Sequence, residues 1–325
     1  MIRAVHRQTL DVKIERAKPL VYDEGGNAFL DRPPHVRAGS GLVVLGGAAW
    51  VVQDDTLFLA RVDLALGSVR AVALPAGAGG VRQFDEERGN KKDKLDLECM
   101  VPLSSTTLLA IGSGSTPARR QLLRIEVPSG TTHQIDASAF YASLESAAEF
   151  AGAELNLEGA LLLPDRRLRL FQRGNGAAKN GRVPQDATCE VDLDDALGNR
   201  PARPREIRSY DLGALDGVRL TFTDAAFDGA GRPHYLAAAE DSPNTYEDGE
   251  TKGCVLGRLA ADGAAEFGRV FEADGTPSKR KLEGLAWDAG HSRWIAVEDK
   301  DDPGHATEMV WISPQPATVS DAVKQ

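Results

Sequence analysis

Leu282-Glu283-Gly284-Leu285-Ala286-Trp287-Asp288 and, sixty residues earlier, Phe222-Thr223-Asp224-Ala225-Ala226-Phe227-Asp228 follow one pattern. Leu157-Glu158-Gly159-Ala160, Leu97-Glu98-Cys99-Met100 and Gly39-Ser40-Gly41-Leu42 repeat its head. The second residue of each copy stands at position 40, 98, 158, 223 or 283, so successive copies lie 58, 60, 65 and 60 residues apart. A period of that length marks an array of supersecondary units that bury their faces against one another.

Each head opens an apolar run, then a turn, then a second apolar run that ends in polar residues: Trp50 to Asp55, Leu109 to Ser113, Leu170 to Arg173, Tyr235 to Asp241 and Trp294 to Asp299. The turns carry the breakers such corners need: Gly46-Gly47, Pro102 with Ser104-Ser105, Pro164-Asp165, Gly229-Ala230-Gly231 and Gly290-His291. Third and fourth strand-like runs follow in the first four units, whereas the fifth lacks its fourth run. Thr9 to Arg16 alternates like a strand and belongs to no unit. These observations predict an all-β chain: a single-domain, five-bladed β-propeller over 1–325 whose last blade is completed by the N-terminal strand, which removes an open sheet edge. A six-bladed ring is the alternative. The blades are expected near 38–75, 95–137, 155–212, 220–272, and 280–313 plus 9–16. Ser138 to Ala151 has helical rather than alternating periodicity and predicts one inserted helix stopped at Gly152.

Blade geometry places the start of each first strand and the end of each second strand on one face, beside the central channel. Ser40, Glu98, Glu158, Thr223 and Glu283 are therefore expected to ring its mouth. Asp54, Asp55, Ser113, Asn175, Glu240 and Asp241 are candidate ligand-binding residues there. Glu298, Asp299, Arg173 and His305 are the candidate catalytic groups, and Glu98, Glu158 and Glu283 the candidate metal ligands. Clustered carboxylates do not all stay ionised without help. A bound Ca²⁺ or Mg²⁺, shared protons, or pairing with Arg173, Lys94 and Lys281 would each supply it. The repeated Glu-Gly step also has a purely structural use, capping backbone N–H groups around a narrow channel.

Composition sets the outer limits. A net charge of −10 argues against nucleic acid and anionic membranes as partners and leaves a small molecule or metal ion at the channel mouth; it does not fix oligomeric state. Three widely spaced cysteines, Cys99, Cys189 and Cys254, fit buried thiols in a reducing compartment. Met1 to Gln8 lacks the apolar core of a signal peptide, so a cytoplasmic location is expected. No P-loop lysine, G-x-S-x-G elbow or zinc-ligand cluster is present, and no organic cofactor is expected.

The Leu-Glu-Gly head, the strand–turn–strand and the acidic pair Glu298-Asp299 resemble those of bacterial phytase-like or esterase-like β-propeller proteins. They are similar, more distantly, to gluconolactonase/SMP-30 and paraoxonase-type propellers, where an innermost-strand Glu binds a divalent cation. The resemblance implies that Glu98, Glu158 and Glu283 are the channel carboxylates, with Glu298 and Asp299 beside them. This chain departs from it with Ser40 and Thr223 in two slots, with Arg173 where another blade has an acid, and with fewer blades than the six or seven usual there. The expected function is cation-assisted hydrolysis of a small ester, lactone or phosphoester, with Arg173 holding an anionic group of the substrate; the alternative is a non-catalytic propeller that binds a ligand or protein.

Overall fold

The computed structural model describes residues 1–241 and 249–315, and the chain is all-β with propeller-like organisation. The strands fall into five antiparallel meanders. Unit one is Gly39–Leu45, Ala48–Gln53, Phe58–Asp63 and Val69–Ala73. Unit two is Leu97–Pro102, Thr107–Gly112, Gln121–Glu126 and Thr131–Asp136. Unit three is Leu157–Leu162, Arg167–Gln172, Asp186–Asp192 and Arg205–Asp211. Unit four is Val218–Phe227, Pro233–Glu240, Thr251–Leu259 and Ala265–Phe271. Unit five has three strands from its own sequence, Lys281–Asp288, Arg293–Asp299 and Glu308–Pro314, and takes Val12–Pro19 as its fourth.

Both faces of most strands are apolar, because each unit packs against two neighbours. Five buried clusters result, one in each seam. Val43 and Trp50 meet Met100 and Leu108 between units one and two. Val101 and Leu109 meet Leu157 and Leu170 in the next seam. Phe171 meets Phe222 and Tyr235, and Leu236 meets Leu285 and Trp294. The fifth seam joins Ile295 and Trp311 of unit five to Leu42 and Val51 of unit one. The three cysteines are buried and free, two in the seam of units two and three and one between units four and five.

The first strand of each unit lies against the first strand of the next, and that of unit five lies against that of unit one. Glycine permits this approach. A Cβ on Gly41 would stand 2.7 Å from the Cys99 Cα, and one on Gly284 would stand 2.1 Å from the Ser40 carbonyl oxygen. Both distances are below van der Waals contact, so the Gly of the repeat head is a spacing requirement between units.

Several expectations change in detail. The completing strand starts at Val12 rather than Thr9, because Gln8–Leu10 coils into a 3₁₀ turn. Residues ahead of it were not expected to pair, yet Ile2–Arg3 adds in parallel to the outer strand of unit three and Val5–His6 to that of unit four. Val12 and Lys13 also pair with Val270 and Phe271, which makes units four and five one sheet. The inserted helix is two short ones, Ser138–Ser146 and Ala148–Ala151, ending at Gly152 with φ 58°. A further short helix, Leu193–Leu197, was not foreseen. The sequence reads Ser242 to Glu250 as a long loop, and residues 242–248 of it lie outside the described residues.

Gly284→Ala should lower stability by about 1–3 kcal/mol, the usual cost of overpacking. Urea denaturation checks this, and Gly159→Ala, whose nearest approach is 3.0 Å, should cost less.

Candidate functional site: an acidic cavity at the heads of the innermost strands

Each repeat head is a β-bulge. The register between first and second strands skips one residue at Glu98, Glu158, Thr223 and Glu283, and shifts between Gly39 and Leu42 around Ser40. A bulge re-aims the extra side chain out of the regular alternation. The three glutamates so released line a cavity of about 350 Å³. Ser40 and Thr223 do not line it. Ser40 Oγ donates to the Glu98 carbonyl (2.9 Å) and to Glu98 Oε2 (2.7 Å), and Thr223 Oγ1 donates to the Leu282 carbonyl (2.7 Å). The hydroxyl slots thus tie one unit to the next, and the glutamate slots face the cavity.

A second set of lining residues follows from cross-strand pairing. In units one, two, three and five the residue two before the slot sits beside the residue at the end of the second strand. Backbone bonds join Asp54 to Ala38, Ser113 to Asp96 and Arg173 to Asn156, and Lys281 pairs with Asp299. Period-two alternation puts residues paired across strands on one side of a sheet, and Asp96, Asn156 and Lys281 line the cavity beside the slot glutamates. This signal was present in the sequence and would have found Asp96 and Asn156.

The same alternation separates Glu298 from Asp299. Asp299 lines the cavity, whereas Glu298, opposite Leu282, turns outward and pairs with Arg280 (2.5 Å) and Lys300 (3.7 Å). Glu298 is not part of the site. Nor is His305, which is exposed and capped by Asp302 Oδ2 (2.6 Å). Asp241 is exposed and off the cavity wall. Ser113 is fully buried behind the wall and donates to Asp96 Oδ2 (2.5 Å), so it positions Asp96. Asp54, Asp55, Asn175 and Glu240 line the cavity as expected.

Arg173 lines the cavity and is engaged by three carboxylates. Its guanidinium reaches Glu158 (3.4 Å), Glu240 (2.6 Å) and Glu283 (3.6 Å), and Nε donates to Thr221 Oγ1 (3.1 Å). Lys281 Nζ is 2.8 Å from Asp301, 3.3 Å from Glu283 and 3.6 Å from Asp299. Lys94 Nζ bridges Asp54 (2.6 Å) and Asp96 (2.7 Å), and Arg119 holds the other Asp96 oxygen (2.8 Å). Arg37, which the sequence did not single out, joins Asp55 (2.8 Å) to Asp85 (3.2 Å). Pairing with basic residues is thus the remedy built into the fold, but it is incomplete: among the described residues, thirteen carboxylates line the cavity against six lysines and arginines.

The shortfall shows in the titration of individual groups. Burial pushes Glu158 up to about 7 despite Arg173. Burial and the neighbouring Asp54 push Asp55 up to about 7. Burial, with Asp96 and Glu158 adding, holds Glu98 well above the carboxylate range. Burial would raise Asp96 too, but Lys94 and Arg119 outweigh it and lower the group.

Glu98 is distinctive. It is 7% exposed, lines the cavity, and has no lysine or arginine within 4.0 Å among the described residues; its one hydrogen-bonding partner is Ser40. One oxygen each from Asp54, Asp96 and Glu98 lie within 4.8 Å of one another, the one such acidic group among the described residues. The set Glu98, Glu158 and Glu283 does not converge in that way.

The bulged inner strands of this all-β, propeller-like chain thus face one partly open acidic cavity over the heads of its repeats. Residues 35–313 match a family described as a family of unknown function, DUF6929, and the chain belongs to it. No curated protein matches it. Among solved structures, it is similar to the Malassezia sympodialis allergen Mala s 1 (9% identity, TM-score 0.51, covering 89% of this chain and 98% of that one). It is also similar to the glutaminyl cyclase of Myxococcus xanthus (10% identity, TM-score 0.47, 96% and 97%) and to a gluconolactonase-like protein (15% identity, TM-score 0.40, 97% and 88%). The Mala s 1 likeness is one of fold alone, and the other two, below 0.5, bear on neither reaction nor ligand.

Glu158 and Asp55 bind protons more tightly folded than unfolded. The stability they contribute is fully present below about pH 4 and is lost as pH rises through about 7. Denaturation in chelator-containing buffer should show this slope, and Glu158→Gln should flatten it.

Proposed function

We propose that the five units are blades of one closed, single-domain propeller, and that its acidic cavity hydrolyses a small ester or lactone with the help of a divalent cation. The observation that carries the reading is Glu98, a buried carboxylate with no lysine or arginine within 4.0 Å among the described residues, beside Asp54 and Asp96. The residues fit a hard cation. All three donors are carboxylate oxygens, and Asp54 Oδ1 is buried without a hydrogen-bond partner.

A cation held by Asp54, Asp96 and Glu98 would supply Lewis-acid polarisation of the scissile oxygen. The chain's own residues do the rest. Glu158, poised near neutrality, takes the proton of the attacking water and returns it to the leaving oxygen. Arg173 and Lys281 fix Glu158, Glu240 and Glu283 in place. Because Arg173 is engaged on three sides, phosphoesters, part of the sequence-based expectation, are disfavoured.

One observation favours a second reading, a cavity that binds without catalysis. The Lys94 ammonium already bridges Asp54 and Asp96, and a cation must share or displace it.

Calorimetric titration with Ca²⁺, Mg²⁺ and Mn²⁺ tests the proposal. One ion should bind, and Glu98→Gln should abolish binding while leaving cation-free stability unchanged or higher, since an uncompensated buried acid becomes a neutral isostere. Ester and lactone hydrolysis should disappear with chelator. Absence of binding heat, or turnover indifferent to chelator, overturns the cation; binding without turnover leaves the second reading.

A further inference from the structure

The volume and charge of the cavity specify the organic ligand more narrowly. A single cation needs a small part of about 350 Å³, since one water's share of the liquid is about 30 Å³, and the remainder is of small-molecule size. Phe84, Ala38 and Pro303 give the lining an apolar patch. The wall away from the Asp54–Asp96–Glu98 group is strongly acidic. There Glu158, Glu240, Glu283, Asp299 and Asp301 share Arg173 and Lys281. Each of these two basic groups is already in contact with at least three carboxylates, so an incoming anion meets a net negative wall.

We propose that the organic ligand of this cavity carries a protonated amine, or an equivalent small cationic nitrogen group, seated against the wall built by Glu158, Glu240, Glu283 and Asp299. The inference rests on the proposed site and names its substrate class: an amino-substituted ester or lactone rather than a neutral sugar lactone or a phosphoester. In the ligand-free protein the surplus of buried acid is relieved by protons, consistent with the upward shifts of Glu158 and Glu283; the ammonium replaces them.

Three non-hydrolysable lactams of one skeleton test this with the wild-type protein: cationic 3-aminopyrrolidin-2-one, neutral pyrrolidin-2-one and anionic pyrrolidin-2-one-5-carboxylate. Calorimetry is run in chelator, where neither a divalent ion nor turnover contributes, so failure here is separate from failure of the hydrolase reading. The amine should bind at least about tenfold more tightly than the neutral lactam, the margin of one charge-assisted hydrogen bond, and the carboxylate most weakly. Added salt should narrow the gap. Glu283→Gln should weaken the amine by about tenfold and leave pyrrolidin-2-one unchanged; because wild-type protein decides the ranking, a poorly folded variant does not blunt the test. Equal binding of all three, tighter binding of the carboxylate, or no binding by any of them overturns the proposal.

Discussion

The bulge that opens each innermost strand is the constraint on which the rest depends. By inserting one residue out of register at Glu98, Glu158, Thr223 and Glu283, it detaches a side chain from the in-and-out alternation that a core strand otherwise obeys. Without it a glutamate at that position would have to enter an inter-unit seam or leave the channel side altogether. With it the strands stay apolar on both faces while a polar group projects from their heads. The neighbouring glycines complete the device, since Gly41 and Gly284 let adjacent inner strands approach closely, which draws the heads of different units toward one cavity.

That convergence has an electrostatic consequence. Carboxylates that are distant in sequence become close in a poorly solvated space, where charge repulsion is large. The fold answers with five internal bases: Arg119 holds Asp96, and Arg37, Lys94, Arg173 and Lys281 are each set between carboxylates, most of them contributed by more than one unit. Such pairs give little net stability because both partners lose water, but they fix geometry. Glu98 stands apart, with no lysine or arginine within 4.0 Å among the described residues.

The N-terminal segment adds mechanical closure of another kind. Ile2–Arg3, Val5–His6 and Val12–Pro19 run successively along units three, four and five, so the first nineteen residues lace three units together. Two of these contacts involve only two residue pairs each and are anchored by ion pairs such as Arg3–Asp211 and Arg7–Glu266. Short polar contacts of this sort leave no alternating pattern, which is why only the long strand was legible.

The amino-acid sequence by itself determined the repeat, its period, the heads of the inner strands and the three glutamates that face the cavity, because β-structure writes itself in a two-residue period and in glycine-marked turns that survive in a linear text. It also held, unread, the signal for Asp96 and Asn156, two residues before their slots. Tertiary structure alone decided what each group touches. It saturated Arg173 with carboxylates of three units and set Lys94 between Asp54 of unit one and Asp96 of unit two. Those outcomes depend on contacts between units, whose partners are set by how the units pack, and no local pattern records them.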